Sequence, residues 1–184
     1  MKVSEPRIKP LEQDEWNETA QEIMKPMVAQ GRIYNIFKTL TNHPDLMRRW
    51  MVFANHILGK STLDPREREI AILRIGYLCE AEYEWGQHVL IGKDCGLTDD
   101  EIQMIKAGPG AEGWSEKDRL LMQATDDLHK DAHVSDATWA GLEKHYSTQQ
   151  LMDIVFTVGQ YNMVSMVLNS FGVQLDDFLP GFDD

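Results

Sequence analysis

The sequence EREIAILRIGYLCEAEYEWGQHVLIG, from Glu67 to Gly92, predicts both the fold and a candidate site. It is apolar enough to be buried, yet an acid, Glu84, lies one helical turn before His88. A second acid, Glu69, lies fifteen residues before Glu84, which is about 22 Å along one unbroken helix. The two acids can share a site only if the chain reverses near residues 79–82. The sequence permits that break, although no Gly or Pro marks it.

Helix-start signals flank this stretch on both sides. Asp64 is a candidate N-cap with Pro65 at the first helical position, and Thr98, Ser115 and Ser147 are further candidate caps. No convincing strand pattern appears. We therefore predict a single all-α domain, a helical bundle spanning residues 1–184, with helices near 11–24, 34–41, 45–59, 65–78, 82–94, 99–107, 116–130, 136–145 and 148–170.

Composition limits the classes of partner. The 184 residues carry a net charge of −12 with 26% charged residues, and the pI is near 4.9. Nucleic acid and anionic membranes both require a basic face, so we expect neither as a partner. The apolar run that starts at Leu151 is interrupted by polar side chains, which favours a buried helix over a membrane span. The start of the chain has no signal-peptide pattern, and we expect a cytoplasmic protein.

The two cysteines, Cys79 and Cys95, are too few for a disulfide scaffold. They are also too far apart for a CxxC redox pair. We expect two reduced thiols that pack as small apolar side chains.

The pair of Glu84 and His88 is the strongest candidate for chemistry. A neighbouring carboxylate raises the pKa of a histidine while burial lowers it, and general acid–base catalysis uses groups balanced in this way. Tyr83 and Trp85 flank Glu84 and would form aromatic walls that hold a flat substrate. The alternative is an ordinary surface pair one helical turn apart. The spacing fixes no further ligands, so we expect no metal and no cofactor.

Other polar residues in apolar surroundings are open to two interpretations. His56, in FANHILG, is either a core histidine or part of a pocket. Gln160, Tyr161 and Asn162 interrupt the last helix, where they either bond neighbouring helices or line the same pocket.

Three segments together resemble the carboxymuconolactone decarboxylase family, within the alkylhydroperoxidase-D-like superfamily. They are LDPREREIAILRIGYLCEAEYEWGQHVLIGKDCGLTDDEI, WSEKDRLLMQATDDL and YSTQQLMDIVFTVGQYNMVSMVLNSFGV. Together with the upstream segment IFKTLTNHPDLMRRW, which is also similar, the resemblance covers about residues 34–173. It implies an all-helical fold with a central helix–turn–helix, which supports the break near 79–82. It also implies a homo-oligomer, a trimer or a hexamer.

The resemblance separates two chemistries. The peroxidase branch has a glutamate, a CxxC pair and a histidine. When this chain is aligned on His88, Glu69 takes the position of that glutamate. The two cysteine positions are then occupied by Ala81 and Glu84. A thiol peroxidase needs both thiols, so the likeness implies the branch without cysteines. The alternatives are an antioxidant protein that acts without the CxxC pair, and a non-catalytic oligomer that binds a small ligand.

The branch without cysteines implies a cofactor-independent carboxy-lyase-like enzyme acting on a small organic acid or lactone. In this interpretation His88 donates the proton to the substrate. Glu84 either orients the His88 ring or relays the proton from it, and Glu69 completes the polar cluster. Arg74 would hold a substrate carboxylate, unless it is a surface cation.

Overall fold

The computed structural model describes residues 3–183, and in that range all regular structure is helical. A short 3-10 helix, Gln13–Glu15, precedes the α-helices. These are α1 (Glu18–Ala29), α2 (Asn35–Leu40), α3 (Pro44–Lys60), α4 (Pro65–Leu78), α5 (Glu82–Asp94), α6 (Asp99–Ala107), α7 (Glu116–Asp131), α8 (Asp136–Leu142) and α9 (Thr148–Phe171). The predicted all-α fold is confirmed. That residues 1–184 form one domain stays a prediction, and residues 1, 2 and 184 lie outside the described range.

The first predicted helix, at 11–24, is wrong in position. The α-helix begins only at Glu18, because Asn17 caps it by accepting a hydrogen bond from the Ala20 backbone N–H at 2.8 Å. It then continues through Pro26 to Ala29. The other predicted boundaries agree with the structure within three residues.

Helix α4 occupies the centre of the bundle and packs against α5, α7 and α9. Every residue from 67 to 76 is buried, including four charged side chains that form ion pairs, Glu67, Arg68, Glu69 and Arg74. A helix at the centre of a bundle is buried on all sides, so most of its residues are expected to be apolar. The chain therefore places charged groups inside its core only where they have partners.

The predicted reversal between α4 and α5 is confirmed. Helix α4 ends at Leu78, Glu80 adopts a left-handed backbone with φ of 52°, and α5 begins at Glu82. The two helices pack closely at Gly76, where an added Cβ would lie 3.4 Å from the Glu84 Cγ, at the edge of ordinary van der Waals contact. The reversal brings Glu69 of α4 beside His88 of α5.

The buried side chains form two clusters. One lies around α4, α7 and α9 and includes Trp85. The other joins α1–α3 to the C-terminal tail through Trp16, Met24, Met47 and Val173. The N-terminal segment therefore packs on the core of its own chain.

Helix α9 is the one helix of the described residues that is long and apolar enough to span a membrane. Half of its apolar window is buried in this fold, on the side that packs against α4. Its other side carries four exposed apolar side chains, Met152, Phe156, Met163 and Met166.

Candidate acid–base site and its cavity

His88 lies between two buried carboxylates. Its Nδ1 donates to the Glu69 Oε2 at 2.5 Å, and its Nε2 lies 3.0 Å from the Glu84 Oε1. Glu84 and His88 meet because they are one turn apart on α5, whereas Glu69 reaches the ring from the adjacent α4. The structure therefore brings all three predicted catalytic residues together.

Arg68 fixes the second oxygen of Glu69. Its Nε donates to the Glu69 Oε1 at 3.0 Å, and its Nη1 donates to the Leu58 carbonyl oxygen at 3.0 Å. With His88 protonated, the four side chains of Arg68, Glu69, Glu84 and His88 carry two positive and two negative charges. Buried charges need this kind of pairing, because an unpaired ion in the interior is costly.

The two carboxylates decide the charge of the imidazole. Burial alone would lower the pKa of His88, but Glu69 and Glu84 outweigh it and raise the pKa to about 10. Burial would raise the pKa of Glu69, but His88 and Arg68 outweigh it and hold that pKa below its ordinary value. His88 is therefore an imidazolium at neutral pH, a proton donor rather than a base.

A cavity of about 480 Å³ opens beside this cluster, and both Glu84 and His88 line it. Its walls come from α1, α2, α3, α5 and α9, together with the loop that precedes α2. Cavities of this size accommodate small organic molecules. The aromatic side chains of the lining are Tyr34, Phe37, Trp50, Tyr83 and Tyr161.

The two aromatic residues that flank Glu84 have different positions. Tyr83 lines the cavity, with its hydroxyl held at 2.6 Å by the Asp176 carboxylate of the C-terminal tail. Trp85 does not line it: only 2% exposed, it packs in the core against Tyr77 and Phe182. The prediction that Trp85 forms a wall is wrong because residues two positions apart on a helix, such as Tyr83 and Trp85, point to opposite sides of it.

Arg74 and His56 also lie away from the cavity. The Nε and Nη2 of Arg74 donate to the two carboxylate oxygens of Asp126 at 2.7 and 2.9 Å, and its Nη1 donates to the carbonyl oxygens of Ile105 and Lys106. Arg74 is therefore a buried structural cation that joins α4 to α7, and the substrate-binding interpretation is wrong. His56 is exposed on α3, so neither the core nor the pocket interpretation holds for it.

Residues that the sequence did not single out also line the cavity. Among them are Arg32, Phe37 and Trp50 from the N-terminal part of the chain. The apolar spacing of α3 predicts that one face is buried, but it does not show that this face borders an opening. Within residues 3–183 no group of three or more His, Cys, Asp or Glu side chains has an arrangement that could hold a metal ion.

The three polar residues of α9 have separate roles. Asn162 accepts a hydrogen bond from the Cys79 Sγ at 3.1 Å, so it does join two helices. Gln160 and Tyr161 instead line the cavity, and the Tyr161 ring packs edge-on against His88 with 4.8 Å between ring centres.

A family model matches the middle of the chain. The family model of the carboxymuconolactone decarboxylase family matches residues 44–127, from α3 through most of α7. Residues 44–127 therefore belong to the carboxymuconolactone decarboxylase family. The suspected resemblance is confirmed, and this segment contains Glu69, Glu84 and His88. No curated protein matches the chain.

Solved structures extend the fold similarity beyond the family segment. The alkylhydroperoxidase AhpD core of an uncharacterized peroxidase-related protein from Ralstonia eutropha JMP134 aligns with a TM-score of 0.82 and 18% identity, covering 94% of this chain and 93% of that one. A peroxidase-related protein from Silicibacter sp. TM1040 aligns at 0.77 and 15% identity, covering 95% and 91%. A cysteine-to-alanine variant of the debrominase Bmp8, in complex with 2,3,4-tribromopyrrole, aligns at 0.72 and 15% identity, covering 95% and 94%. At these identities the likeness is one of fold.

Proposed function

We propose that this chain is a cofactor-independent acid–base enzyme that acts on a small organic acid or lactone, by decarboxylation or a related lyase or hydrolase step. The observation that carries the proposal is the buried imidazolium of His88, held between two carboxylates at the wall of a cavity of about 480 Å³. A proton donor in an apolar pocket is what protonation of a carbanion-like intermediate requires.

The site suits decarboxylation of a lactone acid. When CO2 leaves, the electron pair of the broken C–C bond moves onto the lactone carbonyl and forms a dienolate. A proton must then reach carbon, while cationic or hydrogen-bonding groups stabilise the oxyanion. Both ring nitrogens of His88 face carboxylates. The proton therefore passes from His88 Nε2 through the Glu84 carboxylate to the substrate, and His88 regains a proton from water.

The lining also favours an anionic substrate. Among the described residues, Arg32 is the single Lys or Arg that lines the cavity, and it is exposed. In the described part of the chain it forms no ion pair, so its guanidinium is available to a carboxylate. Arg32 thus takes the role that the sequence assigned to Arg74.

The first test measures release of CO2 from 4-carboxymuconolactone, followed also by the ultraviolet loss of the lactone. We expect turnover by the wild type and a loss of about 10²–10⁴-fold in His88→Gln, because the proton donor is removed. His56→Gln is the matched control, since the same change is made on an exposed histidine outside the cavity. Equal rates in the wild type and His88→Gln would contradict the proposal. Ligand binding by a folded wild type without turnover would favour a binding protein.

A second candidate is an alkylhydroperoxidase-like antioxidant role, which the peroxidase-related structures favour. It would have to act without the CxxC pair. Neither thiol lines the cavity, and burial, with the nearby Glu69, raises the pKa of the Cys95 thiol. Peroxide consumption with a dithiol reductant that disappears in Cys79→Ser or Cys95→Ser would establish this role instead.

We also propose that the chain forms a homo-oligomer, a trimer or a hexamer. The support is an apolar patch formed by α3 and α9, defined by Val52, Phe53, Phe156, Met163 and Met166, all exposed in the single chain. Phe53 and Phe156 contact each other edge-on and make the patch continuous between the two helices. Exposed apolar surface of this kind is typical of an interface.

Replacing Phe156 and Met166 together with glutamate is expected to convert the oligomer into monomers, because charges would be buried in the interface without partners. Light scattering after size-exclusion chromatography measures the mass. Leu90→Glu is the control, because Leu90 is also an exposed apolar residue but lies on α5. A monomeric wild type, or an unchanged mass in the double variant, would contradict the proposal.

A further inference from the structure

Gln160 has a buried side-chain amide oxygen that the described residues leave without a hydrogen bond. The residue is 4% exposed, and among the described residues nothing forms a hydrogen bond with its Oε1. Leaving a buried polar group without a partner destabilises the folded chain. Such a group needs a structural or functional explanation.

The position of the amide indicates the explanation. Gln160 lies in the middle of α9 and lines the same cavity as Glu84 and His88. Thr157 and Ser165 on the same helix are also buried without partners in the described part of the chain, but neither lines the cavity. Gln160 therefore differs from them in having access to a ligand.

A neighbouring hydroxyl strengthens the case. Tyr161 lines the cavity too, and its hydroxyl has no hydrogen-bond partner among residues 3–183. Burial, with Glu84 and Glu69, raises the pKa of Tyr161 well above its ordinary value, so this hydroxyl stays protonated. The wall beside the acid–base pair thus presents an amide oxygen and a phenol that form no hydrogen bond with any residue in the described range.

We infer that Gln160 is a specificity-determining residue that binds a hydroxyl group, free or enolic, of the substrate of the proposed acid–base reaction. A hydroxyl both donates and accepts, so it can satisfy the amide in either orientation of its oxygen and nitrogen. The inference rests on the proposed function for the identity of the reacting molecule. The substrate class is accordingly a small organic acid that carries a hydroxyl, or a lactone acid that gains an enolic one during the reaction, with that hydroxyl bound by Gln160 and the acid group attracted by Arg32.

The test compares equilibrium binding of benzoate with that of its three monohydroxylated isomers, measured by calorimetry. These planar acids are small enough for the cavity and differ only in the hydroxyl. We expect the wild type to bind at least one isomer about tenfold more tightly than benzoate, as one hydrogen bond to a buried group allows. In Gln160→Met, which keeps the length of the side chain and removes the amide, that preference should fall below about twofold.

Gln87→Met is the matched control. Gln87 also lines the cavity, but its Nε2 already lies 3.4 Å from the Tyr83 hydroxyl and 3.5 Å from the Asp176 carboxylate. This variant should keep the preference for the hydroxylated isomer. Thermal melting checks the folding of both variants, and Gln160→Leu is the second replacement if Gln160→Met does not fold.

Three results would overturn the inference: no preference in the wild type, a preference that survives in the Gln160 variants, or no binding of any of the four acids. Because binding is measured without turnover, failure of the proposed function is seen separately. If the proposed function fails while the inference holds, the preference for the hydroxylated acid still depends on Gln160, but no acid or lactone is converted.

Discussion

Replacing Glu69 with glutamine is expected to lower the free energy of unfolding by about 3–5 kcal/mol, the range seen when one partner of a buried ion pair is removed. Glu69 is fully buried and binds Arg68 through one oxygen and His88 through the other. The neutral amide would leave two buried cations with only Glu84 to balance them. Urea or guanidinium denaturation at neutral pH measures the loss.

Glu112→Gln is the control for this prediction, because the same change is made on an exposed loop residue. A change there should stay within about 0.5 kcal/mol. A loss in Glu69→Gln no larger than that of the control would show that the buried cluster does not depend on this carboxylate.

The free energy of unfolding of the wild type is expected to fall by several kcal/mol as the pH rises from about 6.5 to about 10, because His88 loses its positive charge over this range. The pKa of His88 is raised in the folded chain above its ordinary value of 6.5. A raised pKa stabilises the fold fully below the unfolded value, and that contribution disappears as the pH passes the folded value. In His88→Gln this part of the pH dependence should be missing.

Denaturation of both proteins across this pH range measures the difference. His145→Gln provides a control, because His145 lies near the surface and its only ion-pair contact in the described part of the chain, to Glu116, is 3.9 Å long. Parallel curves for the wild type and His88→Gln would contradict the assignment of a charged, paired imidazole.

Much of the helical frame follows from local signals. The caps at Asp64, Thr98, Ser115 and Ser147 each accept a hydrogen bond from a backbone N–H of the first turn, as predicted. The start of α1 was misplaced because residues 11–17 include acidic and aromatic residues that also suit a helix. The Asn17 cap, which is visible in the sequence, would have corrected it.

The acid–base cluster was predictable in part. Glu84 and His88 meet through local spacing alone, but Glu69 depends on a reversal at Glu80 that no Gly marks. A glutamate adopts the left-handed conformation there at some cost, for which the packing of α4 against α5 compensates. The family resemblance, rather than local propensity, favoured that reversal.

The walls of the cavity were the least predictable feature. Helix α5 is buried on several sides, so its sequence does not show which buried face borders the cavity and which borders the core. Tyr83 and Trp85 are only two positions apart, yet they fall on different sides. Arg74 was misassigned because its partner, Asp126, lies 52 residues away in the sequence.

The central claim is that His88 is a doubly protonated imidazolium at neutral pH and can supply a proton to a ligand in the cavity. Nitrogen-15 NMR of histidine-labelled protein, titrated from about pH 6 to about pH 10.5, tests it directly, with His88→Gln used to assign the signal. We predict that both ring nitrogens of His88 remain protonated at about pH 8 and that the signal titrates near pH 10. A His88 signal that is neutral at about pH 7 would contradict the claim.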